Sequence, residues 1–274
     1  MKSEMRICRY ITNGIYIYKG YLMAIAIALI MNLLLVLYRE LNVDIAKVDS
    51  FGAFIYFCFE GCEIIDEASL RLPIRWLFIN ICVIIIICCN PIYRNGYARY
   101  AFVKSENKII YFFENILLVI IEIVLYYILF FLSGAIFSLF RCGNCNLIVN
   151  KEFISAFSGI YIYADITSHD MIRFIVAPLL VNIIIGCACY TIAAFLNNYV
   201  AAIIGISIYV ITCFCGNNIL ITNYSMFLRS GILEYGTPRF ATLYSVSLIL
   251  FIIDIIIGML MITKNDFEII SEQN

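Results

Sequence analysis

The feature that most constrains this chain is the run "IYFFENILLVIIEIVLYYILFFLSG", residues 110–134, which carries two acids, both Glu, and no basic residue. A helix that crosses a bilayer needs about 20 mostly apolar residues. Six stretches meet that requirement: 15–38, 76–92, 110–134, 174–196, 199–215 and 241–262. The second and fifth are short and need flanking residues to reach the interface. Backbone polar groups in hydrocarbon must be satisfied within their own segment, so each run is expected to be a helix. The predicted fold is all-α: one polytopic transmembrane domain over residues 1–274, with six spans.

Composition leaves little room for a soluble alternative. The chain is 64% hydrophobic and 14% charged, whereas soluble domains are about 45–50% apolar and about 25% charged. So few charges would not cover a soluble surface. A net charge of −1 argues against a nucleic-acid partner. The first run is too long for a signal-peptide core and has no small-residue cleavage site, so it reads as a retained span. "SFGAFIYFCFEG", residues 50–61, is too short to cross and is expected to lie flat on the membrane or dip into it. Trp76 is expected in the headgroup belt, with Arg75 snorkelling outward.

With six spans both termini share a side. The side holding the termini and the 94–108 loop carries nine basic residues, and the other side also carries nine, spread more thinly among eleven acids. Lys2, Arg6, Arg9 and Lys19 in the N-terminal tail decide the orientation, because the rule weighs Lys and Arg near span ends. Both termini are expected inside. Asn197 and Asn198 alone separate the fourth and fifth spans, a tight helical hairpin. "NPIYRNGYARYAFVKSENK", residues 90–108, is then the one sizeable inner loop. It is aromatic as well as basic, with Ser105 placed to cap the third span. Aromatic interleaving exceeds what a purely topological signal needs, and an interfacial helix that docks on a partner accounts for both.

Catalytic signatures are missing. The sequence holds no G-x-x-x-x-G-K-[ST], no H-E-x-x-H and no G-x-S-x-G. "EASLR", Glu67 to Arg71, spaces an acid and an arginine in a polar loop and reads as chance. His169 is the single histidine, and "RCGNC" (Cys142, Cys145) the single C-x-x-C. A structural zinc site wants four ligands, so these two cysteines are read as unpaired thiols or a local disulfide. About half of the twelve cysteines lie in apolar runs and are read as small hydrophobes. No metal or cofactor is implied.

Glu114, Glu122 and Asp254 fall within spans. Mid-membrane charge is costly, so such acids face the bundle interior and mark pathways or pairs. Glu122 and Asp254 sit near the middle of their runs, whereas Glu114 is near an end. They are either protonated carboxyls bonded to a neighbouring helix or parts of a proton or substrate relay. Pro178 is placed in the first turn of the fourth span. Apart from the acids, no polar cluster in the spans is evident that would select a substrate.

Taken together, "FGAFIYFCFEG", "LPIRWLFINICVIIII", "RYAFVKSENKIIYFFENILLVIIEIVLYY", "ITNYSMFLRS" and "IDIIIGMLMITKNDFEII" resemble, in order and spacing, the permease subunits of ABC-2 type exporters. The likeness is to the kind common in low-GC Gram-positive bacteria. It implies a non-enzymatic half-transporter in the cytoplasmic membrane, surrounded by lipid, that pairs with a second permease copy or homologue and with cytosolic ABC ATPase subunits. The family's coupling helix lies between spans two and three, a role that would fall on Arg94, Gly96, Tyr97, Arg99, Tyr100 and Lys104. The outer segment with Asn223, Tyr224, Met226 and Arg229 would correspond to the family's re-entrant helices, which cap the exit. The other class open to this sequence is an ATP-independent membrane protein: a secondary transporter using the intramembrane acids, or an immunity or signalling protein.

Overall fold

The computed structural model describes residues 22–37, 50–62, 72–89, 108–142, 145–217, 219–230, 232 and 240–272. The 90–107 loop with its six coupling residues, and Glu67 to Arg71, lie outside the described residues. So do the N-terminal tail and the ends of the first predicted span.

Among the described residues the structure is helical, without a strand; one isolated bridge joins Val149 and Ile166. The helices are α1 (Leu22–Leu37), α2 (Phe51–Phe59), α3 (Ile74–Cys89), α4 (Lys108–Cys142), α5 (Lys151–Ser158), α6 (Ser168–Phe195), α7 (Asn198–Phe214) and α8 (Phe240–Glu272). Two 3₁₀ turns, Ile221–Ser225 and Phe227–Arg229, lie between α7 and α8. Within α4, α6 and α8, the stretches Lys108–Arg141, Ser168–Phe195 and Ala241–Ile262 are long and apolar enough to cross a membrane, and they mark the chain as a membrane protein. α1, α3 and α7 are shorter apolar helices. Exposed Leu and Ile side chains line the outer faces of α1, α4 and α8, the surface that hydrocarbon covers in such a protein.

The six apolar helices alternate in direction. Asn198 begins α7 and donates from Nδ2 to the Cys88 carbonyl at 2.8 Å, so the α6–α7 hairpin lies beside the last turn of α3. Gly258 packs on Phe112, which brings the second half of α8 beside the start of α4. These contacts define one end of the bundle, the hairpin end. At the other end, the head, Asn32, Leu35 and Val36 of α1 share a small cleft with Ser50, Phe137, Ser138 and Arg141. The head also carries α2, α5 and the 3₁₀ turns.

The expected two-residue hairpin is present. Asn197 caps α7, its side chain accepting from the Tyr199 amide at 2.9 Å. α4 runs eight residues beyond the predicted span end at 134, and α6 starts six residues before 174. The early start of α6 comes from a polar cap: Thr167 Oγ1 accepts from the Asp170 amide and donates to Asp170 Oδ2. Pro178 is therefore well inside α6, not in its first turn, where it withdraws an N–H from the Phe174 carbonyl.

Of the two expectations for residues 50–61, lying flat on the membrane is the one the structure departs from: every residue of α2 is buried. Ser50 caps it, accepting from the Ala53 amide at 3.0 Å and donating to the Ile148 carbonyl at 2.9 Å. Phe54 and Phe59 stack into an aromatic cluster with Phe130, Phe131, Tyr127 and Phe174, while Tyr56 meets Phe153, Phe157 and Phe227. Nine residues are too few to span a bilayer, but protein covers every face of this helix. Burial also pushes the Tyr56 phenol up, against the hydrogen bond it shares with Ser158.

Close backbone approach fixes α2. A Cβ on Gly52 would stand 2.3 Å from the Leu147 carbonyl oxygen, a main-chain atom that cannot swing aside. Gly52→Ala is therefore expected to push α2 off residues 146–149, straining the 3.0 Å bond from the Gly52 amide to the Asn146 carbonyl. Overpacking of this kind costs about 1–3 kcal/mol. A thermal-unfolding scan of the detergent-solubilised variant should show the loss, and an unchanged midpoint would mean that the two segments are not in register.

Candidate functional site

The 3₁₀ turns fold back into the head, and residues 221–227 are all buried. Thr222 hydroxyl bonds to Thr212 of α7. Asn223 Nδ2 donates to the carbonyls of Cys215 and Asn217, at 3.1 and 2.7 Å. The Leu228 amide donates to the Glu60 carbonyl at 3.0 Å, tying the segment to the end of α2. This plug is the segment expected to cap an exit, and it brings Asn223, Tyr224, Met226 and Arg229 together.

Arg229 is its keystone. The side chain is buried, and its guanidinium donates from Nε to the Cys62 carbonyl (2.8 Å). Nη1 donates to the Thr212 carbonyl (2.6 Å) and Asn223 Oδ1 (2.7 Å), and Nη2 to the Cys213 carbonyl (3.0 Å) and Cys62 Sγ (3.4 Å). Thr212 and Cys213 lie in the last turn of α7, whose carbonyls carry the negative end of the helix dipole; the Thr212 carbonyl also accepts from the Cys215 amide at 3.3 Å. A planar fork with five N–H donors suits this set of acceptors. Gly61, with φ 78°, turns the chain so that Cys62 reaches the guanidinium. Tyr224 is fully buried within the same plug, and burial raises its phenol.

Two expectations at the head are corrected. Trp76 faces protein, not lipid: it is buried, and Nε1 donates to Ser225 Oγ at 3.0 Å and to the Ser225 carbonyl at 3.1 Å. Arg75 does not snorkel outward. It pairs with Glu60 at 2.6 Å and lies over the Phe57 and Phe157 rings at 4.2 and 4.7 Å. The belt rule assumes a side chain facing lipid, and here the head folds over the start of α3 and gives both residues protein partners.

A buried polar hub sits among four helices, where no such cluster was expected. Asn182 of α6 donates from Nδ2 to Asn80 Oδ1 of α3 (2.6 Å), to Tyr127 Oη of α4 (2.8 Å) and to the Pro178 carbonyl (2.9 Å). Its Oδ1 accepts from Tyr209 Oη of α7 at 2.9 Å. Asn80 Nδ2 donates to the Trp76 carbonyl at 2.7 Å, so the hub joins the tryptophan that holds the plug. Each residue is an isolated polar position in an apolar run, as in "LFINICV" and "LLVNIIIG". That isolation was the signal available in the sequence.

The intramembrane acids separate. Glu114 is exposed, as its place near a span end suggested. Glu122 and Asp254 are both buried. Asp254 Oδ2 has no hydrogen-bond partner among the described residues. Gly258 is level with Phe112. At about 1.5 Å per residue, Asp254 lies about 6 Å from that level and Glu122 about 15 Å. The two carboxyls are thus roughly 9 Å apart in depth for helices running side by side, too far for a shared proton.

Cys145 is a free, exposed thiol, and no group of three metal-ligating side chains occurs among the described residues. The cysteines of the apolar runs Cys82, Cys88, Cys187, Cys189 and Cys213 are buried and free. No family model, no curated protein and no solved structure matches the chain.

Proposed function

We propose that the chain is the permease subunit of an ABC-2 type exporter. Six helices cross the bacterial cytoplasmic membrane with both termini inside, and a separate cytosolic ATPase docks on residues 90–107. The exported molecule is of the class of an antimicrobial peptide, a lipid or a drug, and a second permease copy or homologue completes the pathway.

One observation carries this reading: α3 is a continuous rod between the loop and the plug. It leads into residue 90 at Cys89, and near its start Trp76 is bonded to Ser225 of the plug. Sixteen helical residues span about 24 Å, most of a hydrocarbon core of about 30 Å. A displacement of the 90–107 loop by an ATPase would pass along α3 and pull on the segment that closes the head. Among the described residues, the other end of the bundle presents the two-residue α6–α7 connection and helix ends.

The test is co-purification of tagged full-length protein from native membranes. An ABC ATPase should accompany it, and charge reversal at Arg94, Arg99 and Lys104 together should abolish both the association and export while insertion stays normal. Absence of any ATPase, or wild-type export by the triple variant, overturns the reading.

A second reading, an ATP-independent carrier, draws on the unpartnered Asp254 oxygen. It requires that Asp254→Asn remove a proton dependence of transport, with no ATPase in the purified complex.

A further inference from the structure

We infer that Cys62 and Cys213 form an oxidisable thiol pair whose disulfide staples the head of the bundle shut. Cys62 ends the turn after α2, and Cys213 lies in the last turn of α7. The two residues are distant in sequence, but one guanidinium holds both main chains: Arg229 donates to the Cys62 carbonyl and to the Cys213 carbonyl. One guanidinium nitrogen, Arg229 Nη2, reaches both Cys62 Sγ at 3.4 Å and the Cys213 carbonyl at 3.0 Å, and both thiols are free. A disulfide needs an S–S separation of about 2.05 Å, which asks that two side chains already gathered around one guanidinium turn toward each other.

The pair is chemically asymmetric. Arg229 Nη2 donates to Cys62 Sγ at 3.4 Å, a contact that favours the thiolate. The neighbouring Cys213 thiol, followed by the Arg229 charge, lowers the Cys62 pKa against the opposing effect of burial. Thiolate is the nucleophile in disulfide exchange, so Cys62 is the attacking residue and Cys213 the resolving one. With a low-molecular-weight disulfide as oxidant, the Cys62 thiolate attacks one sulfur and expels the other half as a thiolate. Cys213 then gives up its proton and attacks the Cys62 sulfur, releasing the second half. Two protein thiols become one disulfide, and the small disulfide becomes two thiols.

The staple would join the end of α2 to the end of α7, the two elements between which the plug is clamped by Leu228 to Glu60 and by Thr222 to Thr212. Formation of the bond rests on this geometry alone. Arrest of transport by it rests additionally on the exporter reading.

A second thiol pair supplies an internal control. Cys88 and Cys189 are likewise both buried and free, but they sit in α3 and α6 at the hairpin end, away from Arg229. The experiment treats purified full-length protein in lipid nanodiscs with oxidised glutathione and maps disulfides by non-reducing peptide mass spectrometry. Amide hydrogen exchange of residues 219–230 is followed in parallel. The expected result is a Cys62–Cys213 linkage, lighter by two hydrogens and reversed by reductant, with Cys88 and Cys189 still alkylatable. Exchange in residues 219–230 should slow at least tenfold. Cys62→Ala and Cys213→Ala should each abolish the linkage and the slowing. A Cys62 that stays a free thiol or pairs with Cys215, or a linkage that leaves exchange unchanged, overturns the inference. Transport that continues unchanged with the linkage formed and exchange slowed would count against the exporter reading and leave the thiol pair standing.

Discussion

Arg229→Leu should release the plug and cost about 3–5 kcal/mol. The substitution keeps an apolar stem but strips donors from the carbonyls of Cys62, Thr212 and Cys213 and from Asn223 Oδ1. A buried polar atom left unsatisfied costs about 1–3 kcal/mol. The sum is smaller than four such terms, because water can enter past the exposed residues 215–217. Arg229→Lys should recover only part of the loss: an ammonium is a point donor and does not reproduce a planar fork that serves opposite sides at once. The measurement is thermal unfolding in detergent, paired with amide hydrogen exchange of residues 219–230. An Arg229→Leu protein that melts normally and keeps that exchange slow would show that the plug is held by its apolar side chains, Met226 and Phe227 foremost.

Asn182→Leu is expected to be the next most damaging change, at about 2 kcal/mol. Tyr209 loses its acceptor, and Asn80 and Tyr127 lose the donor that joins them. Interhelical hydrogen bonds in membranes average about 0.6 kcal/mol and reach about 1.7 kcal/mol. Three of them, eased by the remaining 3.3 Å bond from Tyr127 to Asn80, support that figure. Asn182→Asp tests the directional part: it keeps an acceptor for Tyr209 and removes the amide donor. Unfolding midpoints should fall in the order wild type, Asp, Leu. Equal midpoints for wild type and Leu would reduce the hub to a passive inclusion in the core.

What the sequence revealed followed from periodicity and composition. Apolar runs announce helices because hydrocarbon leaves the backbone no other partner. The asparagine pair announces a hairpin because Asn197 is a capping residue at a fixed offset. Glu114 near a span end was correctly separated from Glu122 and Asp254 by position alone. What could not be read depends on rotation about helix axes and on contacts distant in sequence. Asn80 and Asn182 were visible as polar interruptions, but the hub needs four helices turned to one point. The protein cover over Trp76 could not be read because its partner, Ser225, belongs to a fold-back that local patterning does not describe. The burial of α2 was hidden for a similar reason: its length excluded a span, and nothing local said that α5, the 3₁₀ turns and the bundle would cover it.

The Leu196–Asn197 connection has a consequence for how this protein would be made on the six-span reading. Two residues leave no room for one helix to enter hydrocarbon while the other waits in water, so α6 and α7 would then leave the insertion machinery together. Membrane-buried polar groups are costly when unpaired, and α7, at seventeen residues, is a weak insertion signal alone. The hairpin carries part of its own remedy, because Tyr209 of α7 is bonded to Asn182 of α6 within the same unit. Asn182 then arrives with its amide hydrogens available for Asn80 and Tyr127, on helices synthesised earlier. On that reading biogenesis acquires an order: the first three apolar helices include the two, α3 and α4, that carry Asn80 and Tyr127, and the paired α6 and α7 dock onto them.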